Sequence, residues 1–583
     1  MTGRKAGKAR RRSTVHGLAD PKPRSAGRQT GNSPALGKGA NDLMPRSSNH
    51  RARWANPALR SRLQDRIQDR SARIGIIGLG YVGLPEAVMF AQAGFSVTGF
   101  DVDRERVEKV SRGESYIADV PSEDLASLVR SGRFQATHMP AVNASSLPAA
   151  CCPPRESAAP LSQGRLPAAS CQLPVASCDM TQKLNNSMSD QDCLCICVPT
   201  PLRKTRDPDI SYIVSAVQGF QGQLRPGHLV ILESTTYPGT TEEVVQSMLE
   251  TSGLKAGVDF HLAFSPERVN PGDPLHPPAS IPKIVGGVTP ACTNLAKLLY
   301  EQIVTKVLTV SSPRAAEMVK LLENTFRSVN IGLVNELALM CDRFNLDVWE
   351  IIDAAASKPF GFMPFYPGPG LGGHCIPIDP FYLSWKARSN GFEARFIELA
   401  GQVNSYMPKH VVQKVTDALN DREQSVKGSR ILILGVAYKP DVNDTRESPA
   451  LEIIHLLKER GAYVLYYDPY VPEVTADDMS MKSLTLIGPS SNGKNGFKET
   501  ESASQPEGYR REELTVAPSG PSPVVGFRST DEQFPLSRFD CVVIVTHHSC
   551  VDYEAIVKHT ELIVDTRNAT KDVAFGREKI VKL

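Results

Sequence analysis

The sequence predicts an α/β protein: two doubly wound parallel-sheet units joined by a long central helix. Three observations predict it. Short apolar runs alternate with amphipathic stretches from Arg73 to about 310 and again from Ser429 onward, as in parallel sheets covered by helices. Between them, Arg314 to Phe344 carries one unbroken helical pattern, with apolar residues at Met318, Leu321, Leu322, Phe326, Val329, Leu333, Leu337 and Met340. Three stretches, 1–70, about 139–182 and about 487–535, lack any hydrophobic period and read as a disordered basic arm and two low-complexity insertions.

At 583 residues the chain exceeds what one hydrophobic core sustains. The expected organisation is the arm over 1–70, a first α/β domain over 71–310, a helical domain over 311–425 and a second α/β domain over 426–583. The net charge of +3 hides an asymmetry, because residues 1–60 hold 14 Lys and Arg against Asp20 and Asp42 alone. The remaining body is acidic, which speaks against nucleic acid as a partner. No run approaches the roughly 20 uncharged apolar residues of a membrane span. Twelve cysteines lie scattered without a paired framework. The expectation is a soluble cytoplasmic protein with reduced thiols and no metal.

Taken in order, the first strand is Ile74 to Ile77, followed by Gly78-Leu79-Gly80-Tyr81-Val82-Gly83 and a helix from Leu84 to Ala93. A second strand, Phe95 to Phe100, ends on Asp101, 23 residues after Gly78. A Gly-x-Gly-x-x-Gly run between strand and helix, with an acid closing the next strand, is the Rossmann dinucleotide fingerprint. Gly78 makes the tight turn, Gly80 lets backbone approach a pyrophosphate and Gly83 lets helix and strand pack closely, with the phosphates at a helix N-terminus. Asp101 would bond the ribose hydroxyls and repel a 2′-phosphate, so NAD is expected over NADP.

Cys193, Cys195 and Cys197 alternate within an apolar run that reads as a buried strand, with no further partner for a metal. That strand ends on Pro199-Thr200-Pro201, and Leu229 to Leu232 ends on Glu233-Ser234-Thr235. Thr200 and Thr235 are candidate cofactor contacts at a carboxyl sheet edge, or else caps of following helices. Phe264-Ser265-Pro266 places Glu267 at a similar edge. On the long helix, Lys320 and Asn324 share one face, either lining a site or simply solvated. In the second unit, Arg430 to Gly435, Tyr463 to Tyr467, Cys541 to Val545 and Glu561 to Val564 read as strands and Ser448 to Arg460 as a helix, without the glycine fingerprint.

After the long helix, Pro367 to Pro380 crowds four glycines and four prolines about Cys375. Such a run is neither helix nor ordinary strand; its glycines let backbone N–H groups approach a ligand and its prolines hold the thiol in place. With the fingerprint upstream and the Lys320 and Asn324 pair between, the loop reads as a site built about Cys375 rather than a surface loop with an incidental cysteine.

Together these motifs resemble the UDP-glucose/GDP-mannose dehydrogenase family, over about 73–138, 183–484 and 536–578. They are Gly78 to Pro85, Val198-Pro199-Thr200-Pro201, Glu233-Ser234-Thr235, Ser265-Pro266-Glu267-Arg268, Lys320 with Asn324, Gly372-Gly373-His374-Cys375 with Asp379, and Tyr438-Lys439-Pro440 before Asp444-Thr445-Arg446-Glu447-Ser448. Within the family the motifs together most closely resemble the UDP-N-acetylglucosamine 6-dehydrogenases, and the flank Lys358 to Tyr366 points to the N-acetylhexosamine branch. The resemblance implies that C6 of a nucleotide sugar is oxidised twice by NAD through a thiohemiacetal and a thioester on Cys375. It implies oxyanion stabilisation by Lys320 and Asn324, a water held by Asp379 with Lys320, and Glu267 as the base of thioester hydrolysis. It further implies cofactor contacts at Gly78, Gly80, Tyr81, Val82, Gly83, Asp101, Arg106, Thr200, Thr235 and Arg446, and substrate contacts at Glu267, Lys320, Asn324, Gly372 and Lys439. The apolar stripes of the long helix add the expectation of a homodimer or larger homo-oligomer.

The sequence departs from the family at Arg268-Val269-Asn270-Pro271-Gly272, where UDP-glucose enzymes carry a second glutamate. That disfavours UDP-glucose as substrate. A thiol hydrolase using His374 with Cys375 would need no fingerprint, and neighbours in sequence rarely aim both side chains at one point. A binding relative without chemistry would be expected to lose one of Lys320, Asn324, Cys375 or Asp379, and all four are present.

Overall fold

The structure is a computed structural model that describes residues 57–117, 119–139, 188–203, 207–269, 276–476, 479–484 and 535–583. The expected insertions, apart from their edge residues, and the arm up to residue 56 lie outside the described residues.

The first described element corrects an expectation. The arm was read as unfolded to residue 70, yet α1 (Pro57–Gln68) is a helix that buries Leu63 and Ile67 in the core of the first sheet. Its Arg66 reaches Asp192 at 2.6 Å. Leu59, Leu63 and Ile67 are spaced one turn apart, but among Arg, Gln and Asp at the end of a long polar arm this single stripe was overlooked.

The first sheet has eight strands: β1 (Arg73–Ile77), β2 (Ser96–Asp101), β3 (Phe134–His138), β4 (Cys193–Ile196), β5 (Leu229–Leu232), β6 (His261–Phe264), β7 (Lys283–Gly287) and β8 (Val307–Thr309). Their order is β3-β2-β1-β4-β5-β6-β7-β8, parallel except where β7 runs against β6. The reversal between β3 and β4 puts a crevice at the carboxyl ends of β1 and β4, where such sheets bind ligands. Helices α2 (Gly83–Gln92), α3 (Arg104–Ser111), α4 (Ser122–Arg130), α5 (Ser211–Phe220) and α6 (Pro290–Tyr300) belong to the same domain. The cysteine run lies on β4 and just after it, buried between β1 and β5, with burial raising all three thiols.

Next comes α7 (Pro313–Phe344), 32 residues long, capped by the Ser312 hydroxyl on the Ala315 N–H and ended by Asn345 at φ 55°. After it come α8 (Val348–Ala356), α9 (Asp379–Ser389) and α10 (Arg395–Asn420). Helices α7 and α10 cross closely at Gly332, where an added Cβ would stand 3.0 Å from that of Ala400. A buried amide ladder locks the crossing: Asn404 donates to Ser328 O, Asn335 donates to Asn404, and Asn335 Oδ1 accepts the Gly368 N–H at 2.9 Å. The last bond fastens the start of the cysteine loop to the long helix.

The C-terminal unit contains β9 (Arg430–Leu434), α11 (Pro449–Glu459), β10 (Tyr463–Tyr467), β11 (Glu473–Ala476), β12 (Met479–Lys482), β13 (Cys541–Ile544), α12 (Tyr553–His559), β14 (Ile563–Asp565) and β15 (Ile580–Lys582). Its main sheet, β10-β9-β13-β14-β15, is parallel throughout, and β11 with β12 forms a separate hairpin.

Candidate active site

A cavity of about 1620 Å³ runs from the fingerprint loop, past the long helix and the cysteine loop, to the C-terminal unit. At its first end Gly78 adopts φ 95° and donates to Phe100 O at 2.7 Å, which makes the turn. An added Cβ on Gly83 would fall 1.9 Å from Gly78 O, so close packing requires that glycine. Gly80 differs: an added Cβ meets nothing within 4 Å. The protein's own packing does not explain Gly80, whereas a pyrophosphate lying on its backbone does. Asp101 is buried, with Oδ2 accepting Leu79 N at 2.7 Å and Oδ1 accepting Asp103 N at 2.8 Å, which leaves each oxygen a second lone pair beside the cavity. These residues fit a dinucleotide.

Tyr81, Val82, Thr200 and Thr235 line the same end. Neither threonine caps a helix: the nearest following helical caps are Ile210 and Thr240. Arg106 stands 3.9 Å from Asp101 and 3.3 Å from Asp103. From the C-terminal unit, the Arg446 guanidinium lies 4.7 Å from the Tyr81 ring centre and is gripped by Asp444.

At the centre, Lys320 and Asn324 are buried on the inward face of α7, which rules out the solvated-face reading. Asn324 Nδ2 donates to Asp379 Oδ2 at 2.5 Å, and its Oδ1 accepts from Arg327. Asp379 opens α9 and sits just behind the cavity wall, 1% exposed. Burial pushes its carboxyl up to about 6, against the pull of Lys320, Asn324 and Arg327. Cys375 O accepts the Ile378 and Asp379 N–H groups, a turn that sets the thiol one turn ahead of α9. Burial raises the thiol, while Lys320, Arg327 and Arg446 favour the thiolate. His374, pushed down to about 4 by burial and then by Arg446 and Lys320, stays neutral and forms no charged pair with Cys375 at neutral pH.

Glu267 lines the wall nearby, its Oε1 accepting both Arg268 N and Val269 N at 2.7 Å and its Oε2 lying 3.2 Å from Lys283 Nζ. Burial alone would raise it, but Lys283, the Val269 N–H and Lys320 together hold it below the ordinary carboxylate range.

The cysteine-loop glycines line the cavity and also serve packing. An added Cβ on Gly372 would lie 2.6 Å from Tyr438 Cβ, and one on Gly373 2.8 Å from the Tyr438 ring; the Gly373 N–H donates to Arg446 O. Their small size lets the loop dock on the C-terminal unit, which thereby positions Cys375. Gly372 and Lys439 both line the cavity as expected.

Residues 72–153 and 173–304 match the NAD binding domain of the UDP-glucose/GDP-mannose dehydrogenase family, 314–406 its central domain and 432–497 its UDP binding domain. The chain belongs to this family. It is an NAD-dependent nucleotide-sugar dehydrogenase, and the observed α/β architecture is the one expected. It is 35% identical to the UDP-N-acetyl-D-mannosamine dehydrogenase of Pyrococcus horikoshii, over 68% of this chain and 84% of the relative. It is 34% identical to the UDP-N-acetyl-D-glucosamine 6-dehydrogenase of Pseudomonas aeruginosa, over 73% of this chain and 88% of the relative. The solved structure of the Pyrococcus horikoshii UDP-D-ManNAc dehydrogenase is similar with a TM-score of 0.65 at 29% identity, over 88% of this chain and 98% of that one.

Sequence reasoning missed two cations of this dehydrogenase. Arg327, three residues past Asn324, was hidden because nothing in the helical pattern says which stripe of α7 faces inward. Arg567 follows β14 at the cavity's far end, donates to Val545 O at 3.0 Å, and is pushed down to about 10 by burial. A strand closing on Asp565-Thr566-Arg567-Asn568 was the available signal. Among the described residues, no helix is long and apolar enough to cross a membrane.

Proposed function

We propose that this chain oxidises C6 of a UDP-N-acetylhexosamine twice, to the uronic acid, by covalent catalysis at Cys375. The observation that carries the reading is the convergence of Lys320, Asn324 and Cys375 on one cavity, with Asp379 held behind them by Asn324. NAD, when bound at the fingerprint end, accepts the hydrides. Lys320 and Asn324 stabilise negative charge on the C6 oxygen, Asn324 through the amide hydrogen that Asp379 leaves free. Asp379, up at about 6, exchanges a proton near neutral pH through a water shared with Lys320. Burial holds Cys375 as the thiol, with Lys320, Arg327 and Arg446 working against it. The thiol gives up its proton, through water, to the carboxylate of Asp379 as the sulfur adds to the aldehyde and keeps it from escaping. The thioester left by the second oxidation is hydrolysed by water that gives its proton to Glu267, and the sulfur leaves as thiolate. Lys439 and Arg567 offer positive charge to the substrate diphosphate at the C-terminal end.

The Lys358 to Tyr366 flank supports the N-acetylhexosamine class, and within it the resemblance of the motif set as a whole favours UDP-N-acetylglucosamine. A second reading, UDP-N-acetylmannosamine, is supported by the names of several relatives. NADH release from UDP-GlcNAc, UDP-ManNAc, UDP-glucose and GDP-mannose tests both; turnover confined to the last two would overturn the proposal.

An assembled homodimer or larger oligomer belongs to the same proposal. Leu322, Phe326, Leu333, Met340 and Phe344 are 45–63% exposed along α7, and Phe396 and Leu399 of α10 are exposed as well. Such a stripe is more apolar surface than a monomer usually leaves bare. A fully active monomer in light scattering would refute it.

A further inference from the structure

At the wall that carries Glu267 lies a buried ionic cluster of which the chemistry above uses Glu267 alone. Four elements build it: Glu86 from the first turn of α2, Glu233 after β5, Glu267 after β6 and Lys283 at the start of β7. Lys283 Nζ lies 2.9 Å from Glu233, 3.2 Å from Glu267 and 3.6 Å from Glu86. Tyr300 of α6 donates to Glu233 and presents its ring 4.9 Å from the ammonium, and Cys197 Sγ donates to Glu86 Oε2 at 3.4 Å. One ammonium cannot neutralise three buried carboxylates, and burying an unpaired charge costs several kcal/mol. At least one acid must therefore hold a proton, the remaining negative charge being met by hydrogen bonds from Tyr300, Arg268 N and Val269 N. Burial pushes Glu86 well up, with Glu233 and Glu267 adding to the rise, whereas Glu267 is held low.

We propose that Lys283 is a positioning residue for thioester hydrolysis, holding the Glu267 carboxylate ionised and aimed into the cavity, while Glu86 carries the proton that makes the cluster tolerable. The geometry fits the role. Two backbone N–H groups fix Glu267 Oε1, so the ammonium behind the wall is what fixes Oε2. Among the described residues, Lys283 is the cation paired with Glu267; Arg268 is turned away onto Glu323, and Lys320 makes no ion pair with Glu267. Without Lys283, Glu267 would keep its burial and face the carboxylate of Glu233 with no cation between them, and its carboxyl would rise. The ionised base would then be lost at the acid end of the working range and recovered as pH increases.

This inference rests on Glu267 acting as the hydrolytic base. The test is transient and steady-state NADH formation by the full-length enzyme across pH. Lys283→Met should keep a burst of about two NADH per site, slow the steady state at least about tenfold at neutral pH, and move its acid limb upward by about one pH unit. Lys283→Arg should restore the limb. Glu86→Gln, which removes no charge if Glu86 is already protonated, should leave the limb unmoved. If Lys283→Met is insoluble, the charge-balanced Glu233→Gln/Lys283→Met variant should keep the burst, slow the steady state and show an upward shift smaller than that of Lys283→Met, because Glu233 no longer repels Glu267. A uniform loss of burst and steady state with no shift would overturn the proposal and leave Lys283 a structural residue. So would a downward shift in Glu86→Gln. Glu267→Gln separates the two levels: if it stalls after the burst while Lys283→Met hydrolyses normally, only this inference fails, and if it turns over normally, the assignment of Glu267 fails first.

Discussion

The two α/β units begin with the same loop and use it oppositely. In the first, Gly78 takes φ 95° and donates to Phe100 O; in the second, Gly435 takes φ 84° and donates to Tyr467 O. Each next strand ends on an aspartate that accepts N–H groups from that loop, Asp101 from Leu79 and Asp468 from Val436 and Ala437. Two residues after the turn the units part. Gly80 faces open space, whereas the corresponding Ala437 is fully buried and its carbonyl accepts the Thr546 hydroxyl. Asp468 is likewise consumed: it also accepts Tyr470 N, Val471 N and a bond with His548. The strand-turn-strand geometry is thus a packing solution common to both units. What makes one of them a dinucleotide site is the capacity left unused: an open glycine and an aspartate with lone pairs to spare.

The comparison can be broken first on stability. Asp468→Ala would orphan four N–H groups and His548, and is expected to cost about 4 kcal/mol; Asp101→Ala, with two donors at a cavity edge, about 1–2 kcal/mol. Urea unfolding measures both, and equal losses would erase the distinction. Burial raises the Asp468 carboxyl, but His548 and the Ala437 and Tyr470 N–H groups outweigh it and hold it low. Its contribution is therefore present above the unfolded value of about 4 and lost as pH falls through the lower folded one. The gap between the wild type and Asp468→Asn should close in acid.

Gly80→Ala sharpens the comparison at the ligand. With nothing near its added Cβ, stability should hold while NAD affinity falls about thirtyfold, near 2 kcal/mol. A change confined to stability would mean that the open glycine serves the fold. The smallest effect concerns Asp101 as a ribose partner: NAD should exceed NADP in kcat/KM by about tenfold, near 1.4 kcal/mol. Arg106, 3.9 Å from Asp101, tempers that repulsion, and equal use of both cofactors would remove the role given to Asp101.

Sequence showed best what has a fixed spacing. Gly78, Gly80, Gly83 and Asp101 were legible because a turn, a close approach and a strand end each demand one residue type at one offset. Lys320 and Asn324 were legible as a pair but not as buried, since α7 is apolar on several stripes. Strands β3, β7, β8 and β15 and the paired β11 and β12 escaped because they are short and mostly interrupted or bounded by polar residues or glycine, unlike the unbroken apolar runs of β4, β5 and β13. Lys283 was invisible for a related reason. Its importance comes from three carboxylates brought together by four elements, and no local pattern encodes that. The loop glycines at 372 and 373 were legible as a feature of the site, but their contact with Tyr438 was not, because it comes from a distant part of the chain.

The covalent assignment is tested most directly by mixing Glu267→Gln enzyme rapidly with NAD and UDP-N-acetylhexosamine, following NADH, and weighing the quenched protein. The expected result is a burst of about two NADH per active site, a stalled steady state, and an added sugar-nucleotide mass that is absent from Cys375→Ala. Normal production of the sugar acid by Cys375→Ala would contradict covalent catalysis at this cysteine.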